Sequence, residues 1–445
     1  MNRLCARLVR VRAWRAPKTW LVLTAFISTI FAQTDHLSVL LNRYAADPKD
    51  AALCEQIGVA YTQLSDFVNA ATYFQKAVEL NPNRIAARKN LATVLWFAGR
   101  KHESSAMFES LEKRIPDDPV PQLYLGLSAY EAKEMAIAAA HFERAGTLAS
   151  ENPEVLPAVT DSYLSTARYE QATSILEGRI RLGNSSAQIY RWLGDAYDGE
   201  TLPEKAYAAY SKAIEMEPHV AENYMALASF SIEHANCSFA REVLNRGLRE
   251  VSGSAALRLE IGLAWALQGD FADAKKAFIE ANAVDPKWTM PLLALGVTEL
   301  QTGDAEQADA YFRKAKLLDP RDARCYYLHA LALSRTPRNQ ESSRSEATAE
   351  LRRAIALDPL NVKARVLLAQ MELSVEHTKE AESELRETIR IDPTDATALY
   401  RLALLCRKEG KTADAERLLA EFRKSKVKAH DEDNQYVLIL KTVNK

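Results

Sequence analysis

Residue types that commonly carry out chemistry are present in this chain but are spread along its whole length. Histidines occur singly in separate segments, so we expect no metal site built within one segment. Adjacent carboxylates such as Asp117 and Asp118 are typical of solvated turns rather than of a general acid and base. The cysteines that follow residue 32 match no metal-binding spacing; they are Cys54, Cys237, Cys325 and Cys406.

Sequence motifs that mark catalytic or cofactor sites are also missing. There is no glycine-rich phosphate-binding loop, no HExxH zinc motif and no CxxC pair. We therefore predict no catalytic residue, no cofactor and no metal, and we predict that the protein is not an enzyme. The remaining possibility is a surface that binds a partner, and the secondary-structure elements of the chain must position the residues of that surface.

The composition indicates that these elements are amphipathic helices. The 445 residues include only 15 glycines and 16 prolines, whereas 48% are hydrophobic and 26% are charged. The formal net charge is −2, and without the first 32 residues 51 basic residues face 59 acidic ones. A mildly acidic body is poorly suited to the phosphates of nucleic acid, so we predict no nucleic-acid partner.

The first 32 residues have the pattern of a secretory signal peptide. Six basic residues and no acid precede an apolar run of 12 residues, Leu21 to Ala32. This run is too short for a membrane-spanning helix, which needs about 20 residues. We predict cleavage after Ala32 and export to a periplasm, the cell envelope or the outside. The alternative is an uncleaved segment that anchors the N-terminus in a membrane.

The most informative pattern is a set of small, aromatic and proline residues that recurs every 34 positions. In residues 289–322, Gly296 is followed by Ala308, Phe312, Ala315 and Pro320. The same spacing recurs in residues 51–84, 187–220 and 255–288, and weaker copies fill the intervening segments in phase. A fixed period of this length is typical of a repeat array, in which each unit buries its apolar face against the next.

Two segments depart from the pattern. Residues 153–186 keep few of the markers, and Pro157 falls inside the expected first helix, which we therefore expect to start late or to kink. Residues 323–361 are longer than one period. We predict that the polar stretch 336–343 lengthens the turn between the two helices of that segment.

The period and the marker residues resemble the tetratricopeptide repeat family. The resemblance implies an all-α fold, a right-handed α-solenoid or superhelix of stacked antiparallel helix pairs. We expect a capping helix at 33–50, about eleven repeats over 51–426 and a C-terminal cap or tail at 427–445. The predicted repeats are 51–84, 85–118, 119–152, 153–186 (degenerate), 187–220, 221–254, 255–288, 289–322, 323–361 (with an insertion), 362–395 and 396–426.

In the family that this sequence resembles, the first helices of the repeats line a concave groove that holds a protein or peptide. Aromatic and arginine side chains often dominate binding energy. The strongest candidates are therefore Trp96, Phe97, Tyr124 and Tyr130, although aromatic residues at helical spacing can also serve as core. The full set of groove candidates is Lys89, Trp96, Phe97, Tyr124, Leu127, Tyr130, Arg191, Trp192, Asp195 and Tyr327.

The resemblance thus implies a non-enzymatic scaffold or adaptor that binds a protein or peptide partner, in the cell envelope if residues 1–32 direct export. Two alternatives stay open at this stage. Tryptophans such as Trp96 and Trp192 could stack on sugars, which would make the protein a glycan- or peptidoglycan-associated carrier or enzyme accessory. If the N-terminal segment is not a signal, the protein would be a cytosolic adaptor.

Overall fold

The computed structural model describes residues 34–336 and 340–425, and within these ranges the chain forms helices joined by short turns, with no strand. The helix bounds are 34–46 (α1), Ala51–Gln63 (α2), Phe67–Leu80 (α3), Ile85–Phe97 (α4), Lys101–Glu112 (α5), Pro119–Glu131 (α6), Met135–Ala145 (α7), Thr147–Ser150 (α8), Leu156–Ser165 (α9), Tyr169–Arg181 (α10), Ala187–Gly199 (α11), Pro203–Met216 (α12), Ala221–Glu233 (α13), Cys237–Glu250 (α14), Ala255–Leu267 (α15), Phe271–Val284 (α16), Met290–Thr302 (α17), Ala305–Leu318 (α18), Ala323–Arg335 (α19), Gln340–Leu357 (α20), Val362–Ser374 (α21), Thr378–Ile391 (α22), Ala396–Lys408 (α23) and Thr412–Ser425 (α24).

Consecutive helices pair into antiparallel hairpins that stack along the chain, as the sequence predicted. Each hairpin consists of a first helix, such as α15 or α17, and the second helix that follows it. The first helices of successive hairpins also contact one another, as α15 does with α17 and α17 with α19. From α2 to α24, with the short α8 set aside, the described helices make about the eleven pairs that the repeat count required.

Aspartate side chains fix where several first helices begin. Asp50, Asp118, Asp322 and Asp395 precede α2, α6, α19 and α23, and each accepts hydrogen bonds from backbone N–H groups of the first turn. Those N–H groups have no partner within the helix, so a cap of this kind is worth about 1 kcal/mol. The aspartates between repeats therefore act as local start signals for the next hairpin.

Glycines of the first helices allow the rings of the second helices to approach closely. A Cβ atom added to Gly296 would lie 2.4 Å from the Phe312 ring, and one added to Gly262 would lie 2.4 Å from the Phe278 ring. Both rings are fully buried. At Gly262 and Gly296 the glycine and the aromatic marker are therefore one contact, because the missing side chain leaves room for the ring.

The described helices fall into two compact units, one with residues up to Asn184 and Asp195–Thr201, the other with Ser185–Gly194 and the residues from Leu202 onward. In the first unit, Leu37 and Leu40 of α1 pack with Leu53 and Ile57 of α2. In the second unit, a continuous apolar core extends from Leu259 through α17 and α18 to Met371. The predicted division into cap, repeats and tail stays a prediction.

Repeat 323–361 corrects one prediction. The helix α20 begins at Gln340, so residues 340–343 are helical and the proposed turn over 336–343 is wrong for these four residues. The buried Ala347 is the counterpart in this repeat of Ala308 in the preceding one. Ala347 lies seven residues after the start of α20, whereas Ala308 lies three residues after the start of α18. The insertion therefore adds about one helical turn at the N-terminus of α20, where the acidic Glu341 suits the helix dipole.

Repeat 153–186 begins its first helix late. The helix α9 starts at Leu156, so Pro157 lies in the first turn, where its missing N–H costs no hydrogen bond. A four-residue helix, α8, fills the stretch after Gly146, whose φ of 57° is in the left-handed region. The first helix of this repeat therefore starts late, as expected from the position of Pro157.

Two predicted segments lie outside the described residues: the signal peptide at 1–32 and the C-terminal cap or tail at 427–445. Among the described helices, none combines the length and the hydrophobicity that a membrane crossing requires. The four cysteines of the described residues are free thiols, and all four are buried: Cys54, Cys237, Cys325 and Cys406.

Candidate partner-binding surface

Four aromatic side chains of the first unit lie against one another and form a surface that we call the aromatic patch: Phe67, Trp96, Phe97 and Tyr124. The Phe67 and Phe97 rings stack with their centroids 5.2 Å apart. The Tyr124 ring makes edge contacts with Phe97 at 6.4 Å and with Trp96 at 5.6 Å. Stacked and edge contacts are the geometries that aromatic pairs prefer, so the four rings hold one another in place.

The aromatic patch is anchored on one side and open on the other. Tyr124 stacks on the fully buried Phe108, with centroids 4.8 Å apart and ring planes within 3°. Burial raises the pKa of Tyr124 above its ordinary value. Phe97, in contrast, is 54% exposed. The patch therefore presents an apolar ring whose orientation is already fixed by its neighbours.

Lys101 borders this surface, and Lys89 lies seven residues before Trp96 on α4. The Lys101 ammonium lies 4.8 Å from the centre of the Trp96 ring and also pairs with Glu131. The Lys89 ammonium lies 2.6 Å from a carboxylate oxygen of Asp118, the residue that caps α6. Lys89, predicted as a groove residue, thus ties α4 to the start of the next first helix.

Leu127 and Tyr130 lie further along α6, half-buried against the core of the next repeat. The Tyr130 hydroxyl donates a hydrogen bond of 2.9 Å to Asp161 of α9. The pKa of Tyr130 is raised, mainly by burial and also by this hydrogen bond to a carboxylate. Tyr130 therefore helps to join two repeats and has only part of its ring available to a partner.

The remaining groove candidates are not brought into the aromatic patch. Arg191 donates to Asn223 and Gln188, and Trp192 beside it is half-buried. Asp195 is exposed, and it belongs to the first unit. Tyr327 is only 9% exposed within the core of the second unit, so it offers little surface to a partner. That any of the ten candidates contacts a partner stays a prediction.

A cluster that the sequence analysis did not anticipate lies within repeat 323–361. One ligand atom each from His329 of α19 and from Glu346 and Glu350 of α20 lies within 4.8 Å of the others. This corrects the expectation that no segment would gather metal-ligating groups. The signal was the spacing of the two glutamates, which places them on one face of α20, together with a histidine on the facing helix.

The sequence analysis also missed Phe67 and Lys101, which belong to the aromatic patch and its border. Both residues lie at the start of a second helix, whereas the resemblance directed attention to first helices. The available signal was Phe67 itself, a large apolar residue placed directly after the capping residue Asp66. Such a residue can fold back over the end of the neighbouring first helix.

The fold defines an all-α protein of stacked helical hairpins, and the comparison with protein families agrees. Models described as tetratricopeptide repeat match residues 51–84, 187–220, 292–322 and 89–153. The chain contains tetratricopeptide repeats over these residues. These repeats support a role of the chain as a protein–protein interaction scaffold.

Several solved structures are similar to the chain. Yeast Tom70 is 16% identical, with 96% of each chain covered and a TM-score of 0.48. The Cut9 complex with Hcn1 is 15% identical, with 80% of this chain and 76% of that chain covered and a TM-score of 0.42. MamA is 26% identical, with 38% of this chain and 95% of that chain covered and a TM-score of 0.33. No curated protein sequence gives a significant match.

Proposed function

We propose that the aromatic patch of the first unit binds an apolar peptide segment of a protein partner, either extended or folded as an amphipathic helix. The single observation that carries the proposal is the exposure of Phe97. A phenylalanine that is 54% exposed in water, yet held by rings on two sides, is arranged for contact with another apolar group.

The surroundings of Phe97 favour a peptide over a small molecule. Trp96 and Tyr124 are half-buried and extend the apolar surface along α4 and α6. Lys101 adds one positive charge at the edge of the Trp96 ring. A peptide with an apolar anchor and a nearby carboxylate would match this surface, because the anchor would cover the ring and the carboxylate would face the lysine.

The proposal is tested with residues 33–445 used as bait in lysate of the source organism. We expect Phe97→Ala to remove the specific partner, because loss of a central aromatic anchor costs about 2 kcal/mol or more. That cost weakens binding by roughly 30-fold. Circular dichroism should show an unchanged helix content, since the ring is largely in solvent.

Tyr207→Ala is the matched control, because Tyr207 is an aromatic residue that is 46% exposed on the second helix α12. The partner should be recovered with the wild-type and Tyr207→Ala baits and lost with Phe97→Ala. Recovery of the same proteins with all three baits would show that the aromatic patch is not the binding surface.

We also propose that the protein is exported and works in the cell envelope or outside the cell. The basic residues followed by the apolar run at 21–32 support this proposal. The test is N-terminal sequencing of the protein isolated from the organism that makes it. A mature chain that begins at Gln33 is expected, whereas a chain that retains Arg3 to Lys18 in a soluble cytoplasmic fraction would contradict export.

A further inference from the structure

The cluster around His329 places three metal-ligating side chains around one point. His329 is fully buried, Glu350 is 13% exposed, and the more exposed Glu346 reaches the cluster from the solvent side of α20. The Nδ1 atom of His329 lies 3.4 Å from Oε1 of Glu350. The other carboxylate oxygen of Glu350, Oε2, is buried and has no hydrogen-bond partner within the described residues. The cluster therefore has ligand capacity that its own contacts do not use.

The histidine is oriented as a metal ligand would be. Nε2 of His329 lies 2.7 Å from Oδ1 of Asp309 on α18. In the neutral tautomer with the proton on Nε2, this nitrogen donates to Asp309, and Nδ1 can bind a metal ion once Lys316 moves away. Histidines that bind metals usually donate their second ring nitrogen to a carboxylate in this way, which fixes both the tautomer and the ring orientation.

A cation already lies at this point, and it belongs to the protein. The Lys316 ammonium is 2.5 Å from Oε1 of Glu350 and 3.2 Å from Nδ1 of His329. Arg313 pairs with Asp309 and Glu346 at the outer edge. Because Lys316 is 21% exposed at the end of a flexible side chain, it can move into solvent. Three carboxylates would then face Arg313 alone.

We propose that His329, Glu346 and Glu350 bind one divalent metal ion, with zinc the best match, in exchange for the Lys316 ammonium. One nitrogen and two carboxylate oxygens form a zinc-type donor set that leaves a fourth position for water. Two ligand atoms on one tetrahedral zinc ion lie about 3.5 Å apart. The ligand atoms of the cluster, which lie within 4.8 Å of one another, must therefore approach by about 1.3 Å, and rotation of the exposed Glu346 side chain supplies part of this movement.

The test is calorimetric titration of the metal-stripped protein with zinc chloride. We expect the wild type to bind one zinc ion per chain and its melting temperature to rise with zinc, because the ion binds only the folded state. Glu346→Gln and His329→Gln should each weaken binding by at least about tenfold. Lys316→Met should tighten it, because the competing ammonium is removed.

Controls keep the result specific. His219→Gln should leave zinc binding unchanged, since His219 forms an exposed pair with Glu250 that is remote from the cluster in sequence. If His329→Gln does not fold, Glu346→Gln still decides, because Glu346 is 38% exposed and lies outside the core. The proposal is overturned if the wild type shows no saturable binding, or if Glu346→Gln and Lys316→Met bind zinc with wild-type affinity.

Discussion

Two glutamates of the second unit, Glu260 and Glu350, differ in the partners that surround their carboxyl groups. Glu260 of α15 is fully buried, and neither of its carboxyl oxygens has a hydrogen-bond partner within the described residues. The side chain of Glu350 of α20 is 13% exposed and contacts Lys316 and His329. Burial raises the pKa of Glu260 to about 8. Burial also acts to raise the pKa of Glu350, but the two partners outweigh it, and that pKa is lowered.

The difference teaches that burial does not by itself set the charge of a carboxyl group. A charge in an apolar interior is costly, so an isolated carboxyl stays protonated. A positively charged partner reverses the preference, as Lys316 does for Glu350. Repeats 255–288 and 289–322 each pack a glycine against a ring. In repeat 323–361, Glu350 of α20 instead faces Lys316 of α18 and His329 of α19. The two regions should respond differently to pH and to mutation.

The largest effect is expected from pH acting on Glu260. Its pKa lies above the ordinary value of 4.5, so it stabilises the fold below pH 4.5 and loses this contribution as pH rises toward 8. Between pH 5 and pH 8 the loss should amount to about 3 to 4 kcal/mol, since each pH unit in this interval costs about 1.4 kcal/mol. Urea unfolding at a series of pH values, with Glu260→Gln beside the wild type, measures the loss.

Glu280→Gln is the matched control, because Glu280 lies in the same repeat and is 67% exposed. The stability of Glu260→Gln relative to the wild type should increase steadily with pH, while that of Glu280→Gln should stay constant. If Glu260→Gln follows the wild-type pH dependence, then Glu260 is ionised in the folded protein and the contrast with Glu350 fails.

The second prediction concerns the packing of the two regions. Gly296 and Phe312 occupy the repeat positions that Ala330 and Leu351 occupy in repeat 323–361, and all four are buried. Gly296→Ala should destabilise the protein by about 1 to 3 kcal/mol, because the new methyl group would overlap the Phe312 ring. Adding Phe312→Leu should recover part of this loss, because it recreates the Ala and Leu pair of the other hairpin.

A double-mutant cycle of the two substitutions measures the coupling between them. We expect a favourable coupling of about 0.5 kcal/mol or more, which is typical of residues in contact. Gly253→Ala is the control, since a Cβ at that glycine would meet open space. Additive effects of the two changes would mean that the glycine and the ring are not one packing unit.

The contrast between these regions also shows how far sequence reasoning reaches. The hairpins could be predicted because Gly296 and Phe312 report a local contact between adjacent helices, repeated at a fixed spacing. The aromatic patch could be predicted in part, because Trp96, Phe97 and Tyr124 lie on neighbouring first helices. Phe67 could not, because the rotation of a second helix depends on packing that a repeat pattern does not encode.

The cluster at His329 escaped prediction for a related reason. Its ligands come from two helices whose separation depends on the insertion, and a turn was expected where α20 begins. Once residues 340–343 continue the helix, Glu346 and Glu350 face α19 instead of lying near a loop. A small error in one helix boundary therefore concealed this cluster of charged groups.

The smallest predicted effect comes from the charge pair between Lys316 of α18 and Glu350 of α20. Lys316→Met removes the ammonium beside Glu350 and leaves a partly buried carboxylate with one partner fewer. We expect a loss of about 1 to 2 kcal/mol at pH 7, at the low end for charged hydrogen bonds because Lys316 is partly exposed. The pKa of Glu350 is lowered from 4.5, so its contribution is present above pH 4.5 and is lost as pH falls through the lowered value.

The sign of this pH effect separates the two glutamates. The gap in urea stability between the wild type and Lys316→Met should narrow as pH falls below 4.5, because a protonated Glu350 no longer needs the ammonium. The exposed pair of Lys212 and Glu215 supplies the control, and Lys212→Met should leave the pH dependence of stability as it is in the wild type. If the stability difference between the wild type and Lys316→Met instead widens toward low pH, Glu350 would be protonated in the folded protein, as Glu260 is. The contrast between the two glutamates would then fail.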